Sequence, residues 1–319
     1  MAALAELARS TRHSAPPARH SILAWHGWAL AIPADWSPVK LDGDASAGFV
    51  LLADLEKPRL GLRWATPRKS RAGDAEKLVR QAMVREVGQL AAAEAKPFSP
   101  AGDASGAWTG GQLFLEPEPP GRDVWIGVSG TSGRVVEVVH HAHRRARTLP
   151  DDLLPTLADA GGAGGAVEWS VFGLSVRLPR AMTLAGQRLN AGDLSLSFVG
   201  QGKARRRDRL TVRQIAAATL ALGRRPLDQW LAGQEDANHY RTRATPEPVT
   251  VTAADDGREL TGVVRTSPRR RRFFWKPGLS PEVVTYATHD RTRDRLVIVQ
   301  ASDDELSQQA LAGVGFASE

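Results

Sequence analysis

A stretch near the start of this chain returns near its middle. GWALAIPADW, from Gly27 to Trp36, is answered by GLSVRLPRAM, from Gly173 to Met182, with Gly, alternating apolar residues and Pro in register at an offset of 146. Further matches follow in the same order. Arg59, Leu60, Leu62 and Arg63 correspond to Arg209, Leu210, Val212 and Arg213, and RVVEVV from Arg134 corresponds to RLVIVQ from Arg295. Self-similarity that recurs in the same order reads as two tandem copies of one unit of ~150 residues. A chain of 319 residues accommodates two such units, each large enough to bury a core without staples.

The boundary falls in ADAGGAGGA, Ala158 to Ala166, whose glycines leave the backbone free as in a flexible linker. The expected organisation is a flexible N-terminal segment over residues 1–20, a first repeat over 21–160, a linker over 161–166 and a second repeat over 167–319. With no cysteine, disulfides, thiolate metal sites and cysteine nucleophiles are excluded. Apolar runs fall short of the ~20 residues of a membrane span. The first residues carry Arg9, Arg12 and Arg19 without the apolar core of a secretory signal, so a cytoplasmic protein is expected, although the Ala-, Arg- and Ser-rich composition also has the character of a transit peptide.

Trp28, Leu30 and Ile32 alternate with small residues, as do Leu174, Val176 and Leu178, which is the period of a half-buried strand, and Pro33 and Pro179 stop each run. Second and third strands are expected over Phe49 to Leu55 and from Arg59, and over Asp193 to Val199 and from Arg209. Val79, Met83, Val87 and Leu90 predict a helix crossing the first sheet; Pro226, Leu227, Trp230 and Leu231 predict its counterpart. Three more strands follow in each half, around Ala107 to Leu115, Asp123 to Ser129 and Arg134 to His140, and around Arg258 to Thr266, Val283 to His289 and Arg295 to Gln300. Acidic helix starts at Asp151 and Asp303 close each unit. The expected fold class is therefore α+β: two tandem copies of a mainly antiparallel sheet covered by helices, each in the order β-β-β-α-β-β-β-α.

LAIPADW at Leu30 to Trp36, together with this order of elements, resembles the PsbP-like, or Mog-like, sandwich family. The second half departs from the motif, with Met182 where the Trp would stand. The resemblance implies a non-enzymatic binding or assembly protein without a cofactor and carries no catalytic residue with it.

Charge is divided unevenly. The first 160 residues hold 19 basic and 18 acidic side chains, the remainder 23 and 17, so the second half carries most of the net +7. Two segments concentrate it: Lys203, Arg205, Arg206 and Arg207, and Arg269, Arg270, Arg271 and Arg272 followed by Phe273, Phe274, Trp275 and Lys276. Guanidinium groups neutralise phosphates and aromatic faces stack bases, so these residues are candidates for binding nucleic acid or another polyanion. They also read as solvated hairpins whose arginines guard a sheet edge. His140, His141 and His143 could supply half of a metal site, but Arg144, Arg145 and Arg147 would repel a cation, and structural or surface histidines are favoured. GQGKARR at Gly200 lacks the flanking residues of a P-loop, and GVSGTSG at Gly127 is not a nucleophile elbow. Of nine tryptophans, Trp25, Trp28, Trp36, Trp64, Trp169 and Trp230 read as core, Trp125 and Trp275 as the candidates for exposure.

These readings converge on a non-catalytic binding, assembly or chaperone-like adaptor, a monomeric pseudo-dimer with a protein partner. Its site is expected near the junction of the halves or on the basic face of the second. The alternative is a polyanion binder acting through the two basic segments.

Overall fold

The computed structural model describes residues 20–68, 74–100, 108–117, 121–142, 149–159, 165–190, 192–201, 208–234, 245–252, 259–268, 282–302 and 304–316. The expected flexible segment up to residue 19 and most of the expected linker lie outside them. Two strands open the first half, β1 (His20–Trp25) and β2 (Trp28–Pro33). They are joined by His26 and Gly27, both at positive φ (50° and 87°), the two-residue turn whose twist matches that of a hairpin. There follow β3 (Ser37–Gly43), β4 (Ala47–Ala53), β5 (Pro58–Ala65), α1 (Ala75–Val87), α2 (Gln89–Glu94), β6 (Lys96–Pro97), β7 (Trp108–Phe114), β8 (Gly121–Ser129) and β9 (Val135–Ala142). A π-helical turn (Leu149–Leu153), a 3-10 turn (Leu154–Thr156) and β10 (Ala158–Asp159) complete it.

The second half begins with the same hairpin, β11 (Ala166–Val171) and β12 (Leu174–Pro179), turned by Phe172 and Gly173 at φ 51° and 75°. It continues with β13 (Met182–Asn190), β14 (Asp193–Gly200), β15 (Arg209–Ala216), α3 (Ala218–Leu222), α4 (Leu227–Gly233), β16 (Glu247–Thr252), β17 (Glu259–Pro268), β18 (Glu282–Asp290), β19 (Arg295–Ala301), α5 (Asp304–Ala312) and β20 (Val314–Phe316). One seven-stranded antiparallel sheet runs β3-β4-β5-β9-β8-β7-β6 and the other β13-β14-β15-β19-β18-β17-β16, the same order position by position. The third sheet, β10-β2-β1-β11-β12-β20, takes three strands from each half.

Strands dominate, and the helices are few and short, so the fold is β-rich; the expectation of an α+β sandwich covered by helices is corrected. Three local causes account for the difference. The expected helix from Asp151 contains Pro155, which lacks the N–H a helix interior needs, and the segment becomes two irregular turns and β10, whereas DELSQQALA has no proline and forms α5. The helix carrying Val79 and Met83 ends at Gly88, φ 87°, so Leu90 falls on α2 and is 88% exposed instead of joining the buried stripe. Finally, GWALAIP is not the first strand of the large sheet. It pairs with β1 in the shared sheet, and the outer strand of each large sheet is β3 or β13, whose polar, mostly exposed sequences gave no apolar alternation.

Each large sheet buries both faces. Towards its helices, the first packs Val124, Ile126 and Val139 on Val79 and Met83 of α1; the second packs Val263, Ala287 and Leu296 on Leu222 of α3 and Trp230 and Leu231 of α4. The opposite faces, with Leu52, Leu62 and Val138 in one half and Leu196, Val212 and Val299 in the other, meet the shared sheet in one continuous core. Tryptophans weld the halves. Trp25 meets Trp169 edge-to-face at 5.4 Å, Trp169 meets Phe198 at 5.2 Å, and Trp64 lies against Trp28 at 5.5 Å. Across the junction Ala24 pairs with Ser170, whose hydroxyl donates to the Ile22 carbonyl at 2.7 Å, and Gln187 Nε2 reaches from β13 to the Leu41 carbonyl on β3 at 3.1 Å.

His26 sits inside this aromatic cluster, 5.0 Å from Trp169 and 5.6 Å from Trp25, and its Nε2 makes no hydrogen bond. Burial lowers its pKa from 6.5 to about 4, with Asp44 opposing the shift and Arg134 adding to it. The unfolded chain binds this proton at a higher pH than the native one does. The stability held by the neutral ring is thus complete above pH 6.5 and is lost as pH falls towards 4, by at most about 3 kcal/mol. Thermal unfolding followed by tryptophan fluorescence should show the midpoint dropping between pH 6.5 and 4. His26→Phe, which copies the Phe172 found at the same turn position in the second half, should flatten that part of the profile.

Candidate functional site

Lys203, Arg205, Arg206 and Arg207, and Arg269, Arg270, Arg271, Arg272, Phe274, Trp275 and Lys276, lie outside the described residues, as does His143. The strand ends that bound the two basic segments are described. Gly200 N donates to Asp208 O at 3.0 Å at the base of one, and Pro268 pairs with Glu282 at the base of the other. Leu210 of β15 pairs with Ala301, and Ala301 with Val284 of β18, so both connections leave the same end of the second large sheet with β19 alone between β15 and β18. Strand spacing puts these two anchors roughly 10 Å apart.

Trp125, expected to be exposed, is instead fully buried; its ring meets Trp108 at 5.1 Å and its indole N–H donates to Phe98 O at 3.2 Å. Trp25, Trp28, Trp36, Trp64, Trp169 and Trp230 are buried in the core. His140 is buried, with Nδ1 3.4 Å from Asp123 Oδ2 and its ring facing Trp36 at 6.2 Å, while the neighbouring His141 lies on the opposite face of β9 and is half-buried. Among the described residues no three His, Cys, Asp or Glu side chains gather as metal ligands, and no helix is long and apolar enough to cross a membrane.

The opposite end of the second sheet is built around the turn from β18 to β19. Asp290 Oδ1 accepts hydrogen bonds from the backbone N–H of Thr292 at 3.0 Å and of Arg293 at 3.3 Å, and its Oδ2 accepts from Arg293 Nη1 at 3.2 Å. Asp294, at φ 49°, accepts from the N–H and the hydroxyl of Thr219 at 2.7 and 2.6 Å, which hold its carboxyl below the usual range. These bonds pin the start of α3 against the turn. Beyond α3, Gly223 and Pro226 turn the chain into α4, and Arg224 and Arg225 between them line the same cleft as Arg291. A cleft of about 820 Å³ results, lined by these three arginines, Leu222, Leu227, Glu259, Thr261 and His289 among others. None of the three guanidinium groups has a partner among the described residues.

The equivalent turn in the first half has the same internal closure and the opposite exposure. Ser129 Oγ accepts from Thr131 and Ser132 N–H at 3.2 and 3.1 Å, as Asp290 does in the second half. Gly130 stands where Arg291 stands, since Val135 and Leu296 are aligned by their pairing with Ala65 and Ile215 on corresponding strands. The first turn folds inward. Arg134, 3% exposed, binds the Asp159 carboxylate through Nη2 and donates from Nη1 to the His26 carbonyl at 2.8 Å, and Ser132 donates to the same carboxylate. The helix-side face diverges as well. Glu137 of β9 accepts from Arg63 at 2.9 Å and Arg85 at 3.2 Å, whereas Ile298 holds the matching register in the second half. Burial pushes the Glu137 carboxyl up, Glu86 adds to the rise, and Arg63 and Arg85 oppose it. In the first half, charge is spent on structure.

Arg224, Arg225 and Arg291 were not legible as a site. They are separated by a long stretch of sequence and only the antiparallel return of β17 to β19 brings them together.

No family model matches the chain, and no curated protein does. Among solved structures it is similar to immunity protein TplEi of the T6SS from Pseudomonas aeruginosa. In complex with "L" peptide that protein matches at 8% identity and a TM-score of 0.30, covering 94% of this chain and 98% of the other. In its apo form it matches at 9% and 0.29, covering 95% and 98%. Likeness this weak transfers neither fold nor function.

Asp159→Asn should cost about 3–5 kcal/mol, because the buried Arg134 loses its counter-charge at the junction of the halves. Urea unfolding measures it; a loss within the range of a surface substitution would show that the pair does not hold the turn.

Proposed function

We propose that this protein is a non-catalytic binding or assembly scaffold: two related halves fused into one monomer, with the second half facing a protein partner. One observation supports this most directly. The two halves share strand order, hairpin turns and even the side-chain closure of the β8–β9 and β18–β19 turns, yet the first half buries its arginine there and the second exposes arginines around a cleft. A shared scaffold with divergent surfaces fits a duplicated domain in which one member holds the body together and the other recognises. The lowered carboxyls of Asp54, Asp193, Asp44 and Asp294 each accept local hydrogen bonds that account for the shift, and the raised Glu137 carboxyl is accounted for by its burial and the neighbouring Glu86.

A second reading is nucleic-acid or polyanion binding through the two basic segments. Its support is the common origin of both segments at one end of the second sheet, which lets their arginines act on one ligand.

Immobilised full-length chain should retain a defined protein from nuclease-treated extract, and the purified pair should sediment as an equimolar complex. Retention that disappears after nuclease treatment, or that falls steeply with salt when oligonucleotide is the only ligand, would instead favour the polyanion reading.

A further inference from the structure

We infer that the cleft between α3, α4 and the β18–β19 turn is the seat of an acidic peptide segment, an extended run of Asp or Glu side chains on a protein partner. This deepens, and rests on, the protein-binding reading above.

Three features of the cleft define the ligand. The first is an excess of positive charge that no described ion pair takes up. Arg224, Arg225 and Arg291 all line the cleft with no partner for their guanidinium groups among the described residues, while Asp290, which also lines it, and Asp294 accept hydrogen bonds from Thr292, Arg293 and Thr219 within the turn. Like charges gathered around one cleft repel one another, and an incoming anion removes that cost. Planar guanidinium groups match carboxylates in two-point hydrogen bonds.

The second is the character of the walls. Leu222 and Leu227 give apolar surface, and Thr261 and Thr292 give hydroxyls, a mixture suited to a peptide backbone and side-chain methylenes. Among the described residues no Phe, Tyr or Trp lines the cleft, which leaves bases only His289 and the guanidinium planes to stack on, and the exposed Glu259 would repel a continuous phosphate backbone. A spaced run of carboxylates can place a neutral or basic residue opposite Glu259; a nucleic-acid strand has no such freedom.

The third is rigidity and its origin. The cleft walls are set by Asp294 locking Thr219 and by Ala218 N donating to Asp294 O at 2.9 Å, so the arginines stand on a preformed frame. The first half has the same turn but carries Gly130 where the second has Arg291. The cationic rim is therefore not a requirement of the fold.

Fluorescence polarisation of the full-length chain tests this with a short labelled Glu-rich peptide, the same peptide with Gln for Glu, and a single-stranded oligothymidylate of matched charge. The native chain should bind the Glu peptide in preference to both others. The double variant Arg224→Glu, Arg225→Glu and the single variant Arg291→Glu should each weaken it by about tenfold or more. Arg177→Glu, an exposed change on the central sheet, should leave binding as it was. Circular dichroism confirms that the variants are folded; Arg224→Gln with Arg225→Gln gives a milder second test if charge reversal unfolds the chain. Failure of the native chain to prefer the Glu peptide, or equal binding by the folded cleft variants, overturns the assignment. So does stronger binding of the oligothymidylate at these arginines. If the cleft variants still form the equimolar protein complex, the broader scaffold reading stands and the cleft is wrong; if no protein complex forms with any version, the scaffold reading fails independently.

Discussion

The packing of Trp25, His26, Trp64, Trp169 and Phe198 across the line where β1 meets β11 holds the rest of the molecule in place. Main-chain pairing contributes little there, since the two hairpins share the Ala24 and Ser170 position and then diverge. Aromatic side chains bury large areas and add directional edge-to-face contact. Their burial turns two three-stranded ribbons into one six-stranded sheet, and each large sheet then has a common surface to pack upon. The junction tolerates a charged residue only when it is paired, as Arg134 is with Asp159, and an imidazole only in its neutral form.

Once the halves are joined through their inner faces, their outer surfaces and sheet ends are free to differ. The first half uses charge to fasten α1, with Glu137 and Glu86 held among Arg63, Arg85 and Arg122. The second fastens its helices with apolar contact, Trp230 and Leu231 on Val263 and Ala287, and leaves arginines at its cleft. A buried ion pair and a hydrophobic cluster can do the same structural work at similar net stability. The difference therefore reads more informatively as a difference in where exposed charge is placed than in how firmly the halves fold.

Residues with strong period-two patterning declared themselves in the sequence. Leu30, Ile32, Leu174, Val176, Val136, Val138, Val297 and Val299 lie on buried faces, and Pro33 and Pro179 end their strands. Edge strands did not, because β3 and β13 are mostly solvated and their pattern follows water, not a core. Helical content was overestimated for equally local reasons: Pro155 and Gly88 interrupt patterns that would otherwise propagate. Trp125 was misplaced because its position near an expected loop suggested exposure, while the sheet brings Trp108 and the Phe98 carbonyl to it from distant parts of the chain.

By itself, the sequence determined the repeating order of buried and exposed residues, the strand ends at Pro33 and Pro179, and the concentration of charge in the second half. These depend on neighbours within a few positions, where backbone sterics and side-chain period act directly. Tertiary structure alone decided that the hairpins would fuse into a shared sheet, that Arg134 would be buried and Arg291 exposed at equivalent turns, and that Arg224, Arg225 and Arg291 would share a cleft. Each of these is a meeting of residues far apart in the chain, set by which strand pairs with which, and strand pairing is governed by the whole core at once.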